Sequence, residues 1–300
     1  MSTAKLLGLA LIASTALITA ALLLQHPARV QKGASILLNV GHVDWVNLTV
    51  LVDNNPDPQG RLTAAWGLSI YVETPNTCFL FDAGCSPEAL KVNAEALGLD
   101  LSKVDFVVLS HEHWDHIAGL TYVAEVSPNC TVYAPAGMSK SAKNYVVKLG
   151  LHLVEVEGTL NIADGIVLLG QLYGPPYEQA VAINVSKLGL VLLVGCSHPG
   201  VEAFVEEASS QVKTKVCVVI GGLHLASAEP WKLEAVLQAL VDQGVERIYP
   251  LHCSGASFRS LVQAKHPKLY GDGHVGLSVL LKGEGYIEGC SIPQATPVKS

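Results

Sequence analysis

One short segment, residues 111–116, constrains what this chain of 300 residues can fold into more than any other. It directly follows an apolar run typical of a buried strand. Side chains two apart on an extended segment point the same way, so His111 and His113 are placed to bind one metal ion together. Asp115 and His116 begin the next helix and are placed to hold a second ion. Imidazoles with one carboxylate suit zinc, although iron or manganese would also fit. We therefore expect a site for two metal ions.

The spacing H-x-H-x-D-H after a strand resembles the hallmark of the metallo-β-lactamase superfamily. Residues 81–84 match the superfamily's upstream motif with a buried aspartate, and residues 194–200, 221–225 and 251–255 look like one branch of that superfamily, with the motifs in the right order. The branch is that of the dihydropterin ribofuranosylaminobenzene phosphate synthase-like proteins, which are linked to methanopterin biosynthesis. The resemblance covers roughly residues 48–255. It implies an α/β fold, a four-layer αββα sandwich with the metals at one edge of the sheets.

Strands and helices alternate along the chain in a way that fits such a sandwich. Short apolar runs at 48–53, 68–73 and 77–81 predict early strands, and strand–helix alternation continues from 181 to 265. Residues 115–123, which begin within the histidine cluster, predict a single helix. Helices that cover mixed sheets are the expected architecture.

Two more histidines are candidate metal ligands outside the first cluster. His198 lies in a glycine-containing turn directly after an apolar strand, where loops display ligands. The resemblance makes it the substitute for a histidine that many relatives carry earlier, since residues 170–178 contain none. His252 also follows a strand and matches the last histidine ligand of the superfamily. The alternative for His198 is a turn residue that bonds to the backbone.

Three other residues have candidate roles near the metals. By resemblance Cys196 occupies the place of a bridging aspartate in many relatives, and it is either a thiolate ligand or a buried inert cysteine. Asp82 ends an apolar strand and is expected to accept a hydrogen bond from a ligand histidine without touching metal. His224 is either an acid or base that faces the substrate or a structural histidine.

The expected chemistry is hydrolysis of an ester, lactone or phosphoester, because paired metals activate a water and polarise the bond that is attacked. Asp115 is placed to orient that water, and either His224 or a metal ion would stabilise the developing charge. One alternative is a transferase like the pterin-linked synthases, although Trp66 stands where that branch usually has a histidine. The other is a membrane-anchored protein that binds metal without turnover.

Charge and cysteine content narrow the range of partners. The chain has 19 basic and 26 acidic residues, a net charge of −7, so nothing favours nucleic acid as a partner. A small-molecule substrate is expected instead. The seven cysteines contain no C-x-x-C pair and do not resemble a disulfide framework, although Cys78 and Cys85 could pair in an oxidising compartment.

The amino terminus differs from the rest of the chain. Residues 6–24 are uncharged and apolar, and as a helix they would reach about 28 Å, close to the thickness of a bilayer core. We expect residues 1–30 to form a single membrane anchor and residues 31–300 to form one metallo-β-lactamase-fold domain. The alternatives are a signal segment that is cleaved on secretion and a buried helix.

Overall fold

The computed structural model describes residues 28–30, 40–283 and 285–288. Its strands are β1 (Ala28–Val30), β2 (Trp45–Val52), β3 (Ser69–Glu73), β4 (Cys78–Phe81), β5 (Phe106–Val108), β6 (Thr131–Pro135), β7 (His152–Val156), β8 (Leu160–Ala163), β9 (Ile166–Leu168), β10 (Leu172–Tyr173), β11 (Tyr177–Glu178), β12 (Val181–Val185), β13 (Gly189–Val194), β14 (Val216–Gly222), β15 (Arg247–Leu251), β16 (Ser278–Lys282) and β17 (Gly285–Glu288). Its α-helices are α1 (Pro87–Ala96), α2 (Trp114–Ile117), α3 (Leu120–Val126), α4 (Lys140–Lys148), α5 (Val201–Val212), α6 (Pro230–Asp242) and α7 (Ala256–Lys265).

The strands form two large sheets and one small hairpin. Within the described residues the first sheet has the order β1-β7-β6-β5-β4-β3-β2-β16-β17, and the second has the order β15-β14-β13-β12-β9-β8. Strands β4, β5, β6 and β7 run parallel to one another, as do β13, β14 and β15, whereas β3 is antiparallel to β4 and β12 is antiparallel to β13. Among the described strands, β10 and β11 pair only with each other, as an antiparallel hairpin.

The core has three layers of apolar side chains, and strand β13 shows how the sequence builds them. Val191 and Leu193 join the layer between the two sheets, while Leu192 and Val194 pack under the helices outside the second sheet. Because both faces are covered, the strand is apolar throughout rather than alternating. Helices α1, α3 and α4 cover the first sheet, and α5, α6 and α7 cover the second. The αββα sandwich predicted from the sequence is confirmed.

The helix predicted at residues 115–123 is two helices instead. Helix α2 ends at Ile117 and α3 begins at Leu120. Between them the N–H of Gly119 donates to the carbonyl of Gly84 at 3.1 Å. A Cβ at Gly119 would lie 1.9 Å from the carbonyl oxygen of Ala83, so the chain passes this loop too closely for any side chain. Asp115 and His116 therefore lie on the short helix α2.

The predicted membrane anchor is corrected by the structure. Residues 6–24 lie outside the described residues, and so does most of the predicted segment 1–30. The longest described helix, α6, has 13 residues. Such a helix measures about 20 Å, which is too short for a hydrocarbon core of about 30 Å. No helix in the described part of the chain is long and apolar enough to span a membrane. We therefore withdraw the membrane as location and as partner.

Candidate metal centre

The candidate site lies where strands of the two sheets end side by side. Parallel strands of one sheet end at the same edge, so the loops that follow them lie close together. Asp82 follows β4 and residues 111–116 follow β5 in the first sheet, whereas residues 195–198, 223–224 and 252–254 follow β13, β14 and β15 in the second. Each sheet thus contributes its own loops to one edge of the sandwich.

The six expected ligands lie in two adjoining sets of three. The ligand atoms of His111, His113 and His198 all lie within 4.8 Å of one another. The same holds for Asp115, His116 and His252. In the first set, Nε2 of His111 is 3.0 Å from Nδ1 of His113. Three donor atoms at such distances are the number that catalytic zinc sites take from protein, with a further position left open. The donor set therefore fits a pair of divalent metal ions.

Four of the expected ligand histidines have a hydrogen-bond partner at Nδ1. The partners are Asp82 Oδ2 for His116 at 2.7 Å, Glu178 Oε2 for His198 at 2.8 Å, Asn54 Oδ1 for His252 at 3.0 Å and Ser110 Oγ for His111 at 2.9 Å. The Ser110 hydroxyl also donates to Asp82 Oδ2 at 2.6 Å. Its oxygen is therefore free to accept from Nδ1 of His111. In all four rings the proton is assigned to Nδ1, which leaves the Nε2 lone pair directed into the site.

Electrostatics keep His111, His113 and Asp115 in the states that bind metal. Burial, and then the charges of neighbouring histidines, lower the pKa of His111 and of His113. These two rings are therefore neutral at neutral pH. Burial alone would raise the pKa of Asp115, but the neighbouring imidazoles of His252 and His116 hold it well below its ordinary value. Asp115 is therefore ionised. Neutral imidazoles and an ionised carboxylate are the forms that coordinate a cation.

A buried carboxylate that the sequence analysis missed supports the turn that carries His198. Oε1 of Glu178 accepts the N–H groups of Cys196 and Ser197, each at 2.8 Å. Oε2 accepts both the N–H and the Nδ1–H of His198, each at 2.8 Å. Burial alone would raise the pKa of Glu178, but these bonds lower it below its ordinary value. The signal in the sequence was indirect, because Glu178 ends the stretch in which the expected histidine is missing.

Two buried cysteines, Cys196 and Cys253, lie close to the ligand histidines. Sγ of Cys196 is 3.2 Å from Nε2 of His116, and it groups with His111 and His116 as well as with His198 and His224. Cys253, which the sequence analysis did not single out, accepts the N–H of His224 at 3.3 Å. Hydrogen bonding from Cys196 and then from His224 lowers the pKa of the Cys253 thiol. The role of Cys196 as a bridging ligand stays a prediction.

His224 and Trp66 are exposed at the rim of the site. The ring of His224 lies 4.5 Å from that of His198. His224 follows β14 in the loop at this edge and is exposed to solvent. Trp66 is 56% exposed, and its ring lies 4.8 Å from that of His252. Both side chains can therefore touch a bound molecule, and whether His224 acts as an acid or base stays a prediction.

The backbone at this edge is held in unusual conformations. Seven described residues other than glycine have positive φ, and four of them are at the site: Asp82, Ser197, His224 and His252, with φ between 48° and 61°. A left-handed conformation costs free energy for a residue with a Cβ. Such residues persist where the surroundings over-determine them, and they concentrate at functional sites. The loops of this edge are therefore built for the placement of their side chains.

Comparisons with known proteins agree with this geometry. A family model of the metallo-beta-lactamase superfamily matches residues 67–252. The chain is 26% identical, over 269 residues, to 7,8-dihydropterin-6-methyl-4-(beta-D-ribofuranosyl)-aminobenzene-5'-phosphate synthase of Methanocaldococcus jannaschii, an alignment that covers 73% of this chain and 91% of that protein.

One similar solved structure is that of Tm1679, a metal-dependent hydrolase of the beta-lactamase superfamily. It superposes with a TM-score of 0.67 at 23% sequence identity, and the match covers 79% of this chain and 99% of the Tm1679 chain. Zn(2+)-bound PqqB from Methylobacterium extorquens superposes with a TM-score of 0.52 at 16% identity, over 77% of this chain and 99% of its own. The family model matches more than half of the 300 residues, and this chain therefore belongs to the metallo-β-lactamase superfamily.

Proposed function

We propose that this protein is a metal-dependent hydrolase that holds two divalent ions, zinc in the first instance, and cleaves a phosphoester. The observation that carries the proposal is the pair of adjoining three-donor sets, with four imidazoles already fixed through Nδ1. A protein that only needed to be stable would have no reason to bury so many polar groups at one edge, because burying them is costly unless they are paired or bind a metal.

When bound, divalent ions at this edge would supply a Lewis acid for the phosphoryl oxygen and would make a coordinated water acidic. The residues of the chain supply the rest. Asp115 is ionised and 24% exposed at its side chain, so it can accept a hydrogen bond from a water and orient it. His224, exposed at the rim, is placed to hold or donate a proton at the oxygen that leaves. Trp66 lies against the ring of His252 and would shield that side of the site once a substrate is bound.

The choice of a phosphoester over a carboxylic ester or a lactone rests on the Methanocaldococcus jannaschii relative. That protein is named as the synthase of a 5'-phosphate, and its alignment with this chain covers 91% of its length. The same relative supports a second candidate, a transferase that acts on a phosphoribosyl-type donor. Both candidates need the two sets of donors, and they differ in what attacks the substrate, a water or an organic acceptor.

A substrate panel tests the proposal. The zinc-loaded protein is incubated with p-nitrophenyl phosphate, bis(p-nitrophenyl) phosphate, p-nitrophenyl acetate and a simple lactone. We expect turnover of at least one phosphoester, its loss on chelation and its loss in His113→Ala. Turnover confined to acetate or lactone would contradict the choice of phosphoester. Consumption of phosphoribosyl pyrophosphate only when an aromatic acceptor is present would support the transferase, and a lack of turnover in every assay would favour a metal-binding protein without catalysis.

A further inference from the structure

The hairpin of β10 and β11 presents two tyrosines beside the metal centre. Tyr173 is 65% exposed and Tyr177 is 36% exposed, although both are large aromatic residues. Their ring centroids lie 4.8 Å apart with an interplanar angle of 55°. The residue after Tyr177 is Glu178, the carboxylate that supports His198. The two rings and the metal centre are therefore joined through one short piece of backbone.

Close backbone approaches fix this hairpin in place at both ends. A Cβ at Gly174 would lie 2.4 Å from the backbone nitrogen of Pro199, so the tip of the hairpin packs directly on the turn that carries His198. A Cβ at Gly137 would lie 2.1 Å from Cδ2 of Tyr177, so that ring rests on bare backbone. Contacts this close leave room only for glycine at either position. The tyrosines are therefore held at a defined position relative to His198.

A cavity of about 440 Å³ opens between the hairpin and the metal centre. Its lining consists of Tyr173, Pro175, Pro176, Tyr177, Gly137, Glu112 and His113. His113 belongs to both the cavity and the first ligand set, so the cavity borders the metal centre at His113. Its volume falls within the range of about 300–1,000 Å³ in which proteins bind small organic molecules.

The charge of the lining determines which end of a substrate it can accept. Glu112 contributes a carboxylate, and the described lining contains no lysine or arginine. An anionic phosphoryl group is therefore disfavoured in this cavity and is better placed at the metal centre. Tyrosine rings and proline carbons suit the opposite end of the molecule, an apolar and planar group. Exposed aromatic rings that converge on a cavity are typical of a binding surface.

We propose that Tyr173 and Tyr177 bind a planar aromatic group of the substrate while its phosphoester lies at the metal centre. This inference rests on the proposed function for the position of the phosphoester, and on the hairpin alone for the ring. Stacking on aromatic side chains strengthens binding by about 5–150-fold for each planar ring. The hairpin thus selects the class of substrate, an aromatic phosphoester rather than an aliphatic one.

Non-hydrolysable probes test the inference without any need for turnover. Calorimetry on the zinc-loaded full chain compares 2-naphthylmethylphosphonate with methylphosphonate, which share the anionic group and differ in the ring. We expect the naphthyl probe to bind at least about tenfold more tightly. Tyr173→Ala should remove most of this difference, and Tyr173→Phe should keep it because the ring remains. Trp231→Ala is the control, since Trp231 is 71% exposed on α6 and does not line the cavity.

The outcomes separate this inference from the proposed function. Equal affinity for the two probes, or a preference that survives in both Tyr173→Ala and Tyr177→Ala with zinc content unchanged, would overturn the aromatic site even if phosphoesters are hydrolysed. A ring preference that depends on the tyrosines, in a protein without phosphoester turnover, would support the aromatic site and reject the hydrolase. Failure of the naphthyl probe to bind at all would overturn the aromatic site.

Discussion

Glu178→Gln is the substitution that tests the architecture of the site most directly. The glutamine keeps the size of the side chain but replaces one oxygen by an NH₂ group. In the native protein the two oxygens accept four N–H groups, all at 2.8 Å, from Cys196, Ser197 and His198. Whichever way the amide is oriented, its NH₂ faces two of these donors, so two hydrogen bonds to a charged acceptor are lost.

The size of the effect follows from that count. A hydrogen bond to a charged group contributes about 1.5–3 kcal/mol, so we expect the free energy of unfolding of the metal-free protein to fall by about 3–6 kcal/mol. Loss of the carboxylate that orients a ligand imidazole lowers metal affinity by about 10–100-fold. Urea unfolding followed by circular dichroism measures the first quantity, and competition with a chromophoric zinc chelator measures the second.

A second glutamate provides a matched control. Glu155 forms an ion pair with Lys143 at 3.0 Å, and neither residue belongs to a ligand set. Glu155→Gln weakens a single charged hydrogen bond, so it should lower the free energy of unfolding by at most about 3 kcal/mol, and it should leave zinc affinity unchanged. The reasoning is refuted if Glu178→Gln binds zinc as tightly as the wild type, since Glu178 would then stabilise the turn without positioning His198.

Three further predictions concern the same edge. His198→Ala should lose about one metal equivalent per chain while its circular dichroism is preserved, and Cys196→Ser should lose less; full metal occupancy in His198→Ala would return His198 to the role of a turn residue. Asp82→Asn should weaken zinc binding by about 10–100-fold, whereas His113→Ala should abolish binding to the first set; equal losses would mean that Asp82 is itself a ligand. The pKa of Glu178 in the native protein is below its ordinary value of 4.5, so the stabilisation by its carboxylate is complete above pH 4.5 and is lost as the pH falls through the native pKa. In metal-free Glu178→Gln, the free energy of unfolding in urea should therefore depend less on pH below 4.5 than in the wild type. An unchanged pH profile would contradict the lowered pKa.

The ligand clusters could be predicted from the sequence because each lies directly after an apolar strand. His198 is an example: the run that becomes β13 ends at Val194, and the turn that follows is short. The partner of His198 could not be predicted in this way. Glu178 is a single glutamate in a strand of two residues, and it meets the turn only because the hairpin folds back over it. Such a contact arises from tertiary structure and leaves no periodic pattern.

Two other differences have physical reasons of the same kind. The apolar periodicity of residues 115–123 fits a helix, but the close passage of Gly119 past Ala83 breaks it. The tyrosine hairpin was not predicted because each of its strands has only two residues, separated by Pro175 and Pro176. Hydropathy and spacing report the burial of long elements, whereas these features depend on contacts between distant parts of the chain.

The division of the ligands between the two sheets has a consequence for the mechanics of the molecule. In each set two ligands follow β5 in the first sheet, and the third, His198 or His252, follows a strand of the second sheet. An ion bound by either set therefore cross-links the two sheets of the sandwich. It does so at an edge where no strand of one sheet is hydrogen-bonded to a strand of the other among the described residues. Ligands that bind only the native state stabilise it in proportion to the logarithm of their concentration. Metal loading should accordingly raise the protection of backbone amides from hydrogen exchange in both sheets at once. This includes strand β15, which contains no ligand itself and is followed directly by His252.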